Sequence, residues 1–181
     1  MMSTSGAQLL PGNAVRLLRE RLLPMTTVLT PNIPEAILLL RDADQQVKNP
    51  STLDEAKALA KQVHSLGPKA VLLKGGHIPL AKDYSTPASK EDASLVVDIL
   101  YDGSEYTLVE AKYSTSKNTH GTGCSLASAI AANIASGKAV PAAVKDACRY
   151  VEAGIKMSKD MGKGTGPINH FHSAYHLPFV P

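Results

Sequence analysis

Seven consecutive residues, Asn118-Thr119-His120-Gly121-Thr122-Gly123-Cys124, could do chemistry together. Two glycines flank a threonine, so the backbone can turn tightly and aim its N–H groups inward. A helix is expected from Ser125, and its first amides and positive dipole end would complete an anion-binding nest. Cys124 falls in the first helical turn, where a thiolate is favoured. The bland alternative is an ordinary Gly-rich strand-to-helix turn with a small buried cysteine.

Two further junctions carry reactive types. Lys74-Gly75-Gly76-His77 ends an apolar run, Lys69-Ala70-Val71-Leu72-Leu73. Glycines there would let a ligand approach the backbone, and the ammonium could meet a phosphate. Equally, a lysine can snorkel before a plain Gly-Gly turn. At Thr30-Pro31-Asn32-Ile33-Pro34-Glu35, an amide and a carboxylate lie three residues apart. Their oxygens suit Mg²⁺, directly or through its waters. They equally suit a helix cap, with Asn32 at the N-cap and Glu35 answering the dipole.

These junctions need strands and helices to hold them. Residues 26–29, 69–73, 94–100 and 106–113 read as strands, the last two joined at Asp102-Gly103-Ser104-Glu105 as a hairpin. Helices are expected over 13–23, ended by Pro24; over 34–41; over 52–66, opened by a Thr52/Glu55 capping box; over 125–136; and from Pro141 onward. In the last helix Val144, Cys148, Val151 and Ile155 form the expected core stripe. Residues 78–93 read as a mobile loop. Alternating strands and helices with an inserted hairpin argue an α/β fold with a largely parallel sheet. In such sheets ligands bind beyond the strand ends, where all three junctions are expected. An oxygen pair, a lysine and an anion nest are the parts of phosphoryl transfer. No GxxxxGK[ST] is present, so the device is not a Walker loop.

Composition bounds the reading. The chain has 181 residues, 44% hydrophobic and 19% charged, with net charge +3. That suits one globular domain and argues against nucleic acid or an acidic membrane as partner. Two cysteines, no signal peptide and only short apolar runs point to the cytoplasm. His170, His172 and His176 lack a companion carboxylate or cysteine at ligand spacing, so no metal centre is expected there.

The three motifs resemble those of hydroxymethylpyrimidine and phosphomethylpyrimidine kinases of thiamine biosynthesis, in the ribokinase-like superfamily. The likeness runs from about Ser3 through the last helix. Sugar kinases of that superfamily usually carry Asp where Cys124 stands. The resemblance implies ATP and Mg²⁺ as cofactors and a small pyrimidine as substrate, and leaves a homo-oligomer open. Cys124 would be the general base, and Gly121, Thr122 and Gly123 the anion hole for the transferred group. Lys74 would touch the ATP phosphates, with Asn32 and Thr119 also on the cofactor. Glu35 and Asn32 would organise Mg²⁺. Family members carry a longer N-terminal segment with much of the pyrimidine pocket. The chain is therefore expected to be a single partial domain over 1–181: the C-terminal portion of a three-layer α/β/α fold, with 162–181 as a loose tail. Two alternatives stand beside the kinase: an inactive fragment keeping only the nucleotide half, and a pyridoxal-type kinase.

Overall fold

The computed structural model describes residues 10–76, 78–89, 91–160 and 162–173. His77, His176, residues 1–9 and the rest of 174–181 lie outside the described residues. The chain divides into two compact units, Met1–Tyr113 and Ser114–Pro181, taken in turn. No helix among the described residues is long and apolar enough to cross a membrane.

The first unit opens with helix α1 (Gly12–Leu17), which continues as a wide π turn over Leu18–Leu22 and a tight 3-10 turn over Leu23–Met25. Pro24 does not stop this run. It occupies the first positions of the 3-10 turn, where its missing N–H costs nothing, and Thr26 is the first extended residue. Helix α2 (Ile33–Asp42) and helix α3 (Leu53–His64) follow. The Thr52 hydroxyl accepts from the Glu55 amide at 3.2 Å, as its spacing predicts. The Glu55 carboxylate reaches one residue further back than a capping box requires, taking the Ser51 amide at 2.6 Å and the Ser51 hydroxyl at 2.8 Å.

Three strands form the sheet: β1 (Val71–Leu73), β2 (Leu95–Tyr101) and β3 (Tyr106–Lys112), in the order β1-β2-β3. Both pairings are antiparallel, Leu72 opposite Leu100 and Leu100 opposite Thr107. The expected hairpin is present. The largely parallel sheet is not what these three strands form. Parallel pairing survives as isolated bridges, Leu29 with Val71 and Asn32 with Lys74. Four backbone hydrogen bonds carry it: Lys69 to Thr26, Leu29 to Ala70, Leu72 to Leu29 and Lys74 to Pro31. Residues 26–31 thus run beside β1, but the strand expected over 26–29 does not form: only isolated bridges occur, and Pro31 supplies no N–H through which a regular ladder could continue.

β1 is a continuous apolar run because it is buried on both faces, whereas β3 leaves Glu110 and Lys112 exposed at the edge. Val71, Leu73, Val97 and Ile99 pack against Ile37 and Leu40 of α2 and Leu59 and Val63 of α3. Each such side chain contributes about 1.5–3 kcal/mol on burial, so this core fixes where α2 begins and β1 ends.

The second unit is built on helix α4 (Thr122–Ala135) and helix α5 (Val140–Lys156). Leu126 and Ile130 are the buried residues of α4, and Ala143, Val144, Ala147, Val151 and Gly154 those of α5. The buried stripe of α5 therefore uses smaller residues than the Val144–Cys148–Val151–Ile155 stripe expected. Cys148 and Ile155 are only half-buried. Within the stretch expected as a loose tail, Ile168 is buried, and the backbone of Gly166 and Ile168 is hydrogen-bonded to Lys117 and His120.

Candidate phosphoryl-transfer site

In the first unit the sequence-selected residues Asn32, Glu35 and Lys74 come together. The parallel bridge sets Asn32 beside Lys74 at the end of β1, and the Lys74 amide donates to Pro31 at 2.9 Å. Asn32 caps α2: its Oδ1 accepts from the Glu35 amide at 2.8 Å, and Glu35 Oε2 accepts from the Asn32 amide at 3.0 Å. This reciprocal box satisfies two of the first-turn donors of α2. The helix-cap reading of the pair is thus realised. Both groups are hard oxygen donors, and an amide or carboxylate oxygen has a second lone pair beyond a capping bond, so the donor chemistry fits a Mg²⁺ that keeps several waters.

The two glycines after Lys74 differ in purpose. A Cβ on Gly75 would lie 2.0 Å from the Val97 carbonyl oxygen, so this glycine admits the backbone of β2 and not a ligand. A Cβ on Gly76 would meet nothing within 4 Å. The Gly75 amide donates to Asp98 Oδ1 at 2.8 Å, which ties the Lys74 loop to β2. Asp98 was not singled out from the sequence; its signal is a carboxylate inside a strongly apolar strand, Leu95-Val96-Val97-Asp98-Ile99-Leu100.

In the second unit Thr119, Gly121, Thr122, Gly123 and Cys124 form one turn leading into α4. Gly121 is the N-cap residue at φ +86, in the left-handed region that glycine alone enters freely. Thr122 Oγ1 donates back to the Thr119 carbonyl at 3.0 Å and Ser125 Oγ to the Gly121 carbonyl at 2.8 Å, holding the turn shut. No side chain caps α4. Among the described residues, no group accepts a hydrogen bond from the Gly123 or Cys124 amides. With the helix dipole behind them, these donors can bind an anion. Cys124 stands in the same turn and is exposed. It opens onto a groove of about 600 Å³ between α4 and α5, whose walls include Ser128, Asp146, Tyr150 and His170. The groove carries a thiol, a carboxylate and an imidazole, and no three His, Cys, Asp or Glu side chains among the described residues gather as a metal centre.

The loop is also braced from behind. Asn118 is a buried polar residue, 3% exposed, whose Nδ2 donates to Asp160 Oδ1 at 2.7 Å. His120 pairs with Pro167 as a short parallel bridge. Neither Asp160 nor the Gly166–Ile168 segment carries a local sequence signal for this role, because the partners are more than 40 residues apart in the chain.

Comparison with known proteins finds a family for this chain. The phosphomethylpyrimidine kinase family model matches residues 1–169. The chain is 40% identical over 174 residues to the thiamine biosynthesis bifunctional protein of Geobacter sulfurreducens, covering 96% of this chain and 32% of that protein. It is 35% identical over 171 residues to the hydroxymethylpyrimidine/phosphomethylpyrimidine kinase of Bacillus subtilis, covering 94% of this chain and 56% of that protein. The pyridoxal kinase of Staphylococcus aureus in complex with AMP-PCP superposes with a TM-score of 0.74 at 28% identity, covering 96% of this chain and 57% of that one. The chain thus spans about a third to three-fifths of the length of such curated relatives. The α/β architecture of this chain is that of the ribokinase-like kinases. The chain belongs to the phosphomethylpyrimidine kinase family.

Proposed function

We propose that this chain carries the phosphoryl-transfer machinery of an ATP-dependent kinase acting on hydroxymethylpyrimidine phosphate, and on hydroxymethylpyrimidine, in thiamine biosynthesis in the cytoplasm. The observation that carries the reading is the α4 N-terminus. Its amides at Gly123 and Cys124 lack an acceptor, its N-cap is glycine, and an exposed thiol stands in its first turn.

Each residue then has a role. Gly121, Thr122 and Gly123 hold the transferred phosphoryl group, with Thr119 closing the turn behind them. The Cys124 thiolate takes the proton from the attacking substrate oxygen, as that oxygen bonds to the γ-phosphorus and the bond to ADP breaks. Lys74 meets the ATP phosphates as a point charge. Glu35 and Asn32 hold Mg²⁺, largely through its waters; when bound, the ion offsets phosphate charge. The S. aureus relative is solved with an ATP analogue, which supports ATP as the phosphoryl donor. The isolated parallel bridges of Leu29 to Val71 and Asn32 to Lys74 support parallel pairing at this edge, and the proposed frame for this machinery is a three-layer fold with a largely parallel sheet.

The experiment is formation of ADP and a new diphosphate (a P–O–P anhydride bond) from MgATP and hydroxymethylpyrimidine phosphate, or of a phosphate ester from hydroxymethylpyrimidine, followed by phosphorus NMR. A product signal that requires Cys124 supports the reading. A pyridoxal-type kinase is the second reading, favoured by the S. aureus pyridoxal kinase at a TM-score of 0.76. Phosphorylation of pyridoxal but never of the pyrimidine would install that reading instead.

A further inference from the structure

We infer that Asn118 and Asp160 form a clasp that positions the anion-binding turn, making them positioning residues for phosphoryl transfer; the functional half of this inference rests on the reading above.

The argument begins with Asn118. It is 3% exposed, and its amide reaches the carboxylate of Asp160, 42 residues further on, at 2.7 Å. A hydrogen bond to an ionised acceptor is stronger than one between neutral groups. The amide orientation is fixed by that carboxylate: turned over, Oδ1 would face it. Oδ1 instead points to the Gly166 side, where a Cβ would lie only 2.1 Å away. It is buried without a hydrogen-bond donor among the described residues. Gly166 is therefore required as glycine for the amide to sit where it does.

The backbone continues the grip. The Gly166 amide donates to the Lys117 carbonyl at 3.2 Å, and the His120 amide donates to the Gly166 carbonyl at 3.1 Å. The Ile168 amide closes on the His120 carbonyl at 3.4 Å. So residues 117–120 are held on one side by a three-bond backbone strap and at their centre by one charged side-chain bond. The next residue, Gly121, takes the left-handed conformation that starts α4. A turn loosened at Asn118 frees the rotation that aims the Gly123 and Cys124 amides. The Lys117–Asp160 ion pair at 3.4 Å joins exposed groups and is expected to add little.

The test is amide hydrogen exchange on the full chain, read at the hydrogen-bonded amides of His120, Thr122 and Ser125, with α5 as the internal fold check. Asp160→Ala removes a partner that is mostly exposed, so the fold survives. It is expected to speed exchange at these amides about tenfold, the equivalent of one hydrogen bond to a charged group. Lys117→Ala is expected to leave exchange within about twofold. The exchange pair N118D with D160N rebuilds the bond with donor and acceptor reversed, and is expected to restore slow exchange. Unchanged exchange in Asp160→Ala, an equal effect from Lys117→Ala, or no recovery in the exchange pair would overturn the clasp. The functional half is read with ATP as probe: it should protect amides 122–124 in the wild type and fail to do so in Asp160→Ala. Equal protection in both would make the clasp structural only. Absence of protection in the wild type would overturn the phosphate-site reading, while the exchange rates without ATP still decide the clasp.

Discussion

Two helices of this chain begin directly after a motif loop, and their N-termini are finished in opposite ways. α2 is closed by its own side chains, with Asn32 and Glu35 each accepting the other's backbone amide. α4 begins at Gly121 with no side-chain cap, and the amides of Gly123 and Cys124 stay without an acceptor among the described residues. Capping is typically worth about 1 kcal/mol, and the left-handed backbone at Gly121 forgoes it, whereas Asn32 caps from an extended backbone. The contrast supports the proposed phosphate site: α2's first-turn donors are taken by its own cap, whereas the Gly123 and Cys124 amides of α4 are left for a bound anion.

Their glycines repeat the contrast. Gly75 is glycine because the β2 carbonyl at Val97 leaves no room for a Cβ. Gly121 has open space around it, and is glycine for its φ of +86. One is a packing requirement and the other a backbone requirement.

Substitutions can break or sharpen this comparison. Removing the base has the largest effect. Cys124→Ala should lower kcat by about 100- to 10,000-fold, the span of general-base contributions, with ATP affinity and melting temperature unchanged. Steady-state kinetics beside a binding isotherm checks this, and near-normal turnover would remove Cys124 from the chemistry. Gly75→Ala forces a Cβ against the Val97 carbonyl and should destabilise the fold by about 3 kcal/mol, read by urea denaturation. A cost within experimental error would mean the β2 backbone yields there. Gly121→Asp sets a carboxylate at the uncapped terminus. It should weaken ATP binding and turnover by about 100-fold, as expected where anion donors are lost, beside a stability cost of about 1 kcal/mol from a side chain at a left-handed φ. If ATP binds the variant as before, the terminus is not a phosphate site.

Asn32→Ala should cost about 1 kcal/mol of stability through loss of the cap. A much larger loss of Mg²⁺-dependent activity than of stability would sharpen the metal assignment to this pair. The smallest effect lies in the hairpin turn. The amides of Glu105 and Ser104, with the Ser104 hydroxyl, lower the Asp102 carboxyl from its ordinary 3.8 to about 2. A depressed folded-state value stabilises the fold above the unfolded-state pKa. That contribution is lost as pH falls from about 4 towards 2. Asp102→Asn should flatten the pH dependence of stability in that window; an unchanged slope would place it on other carboxylates.

Much of this was legible in the chain because the signals are local. The Asp102–Glu105 turn, the Thr52 cap and the Gly121–Cys124 loop all involve neighbours a few residues apart. The position of Cys124 in the first turn of α4 follows from counting. What was not legible depends on partners distant in sequence. Gly75 reads as a ligand-contact glycine until Val97 is seen against it. Asp160 and Gly166 read as loop residues until Asn118 and His120 are found beside them. Residues 26–29 read as a buried strand, but form no strand: they are only partly buried and meet β1 through the isolated parallel bridge of Leu29 to Val71. Pro31 breaks the ladder, and β1 pairs its other edge with β2 antiparallel, so no largely parallel sheet appears among these three strands. The stripe expected in α5 follows the larger apolar residues, whereas close packing selects Ala143 and Ala147, and Gly154 lies against Ile168 and the Asn169 carbonyl.

The measurement that tests the central claim most directly is an amide-resolved titration of the ¹⁵N-labelled chain with ATP. The account predicts saturable shifts at Gly121, Thr122, Gly123 and Cys124, largest at Gly123 and Cys124, whose amides lack acceptors among the described residues, and none in the Thr52-capped first turn of α3. Shifts absent from the α4 terminus, or equal at both termini, would contradict it.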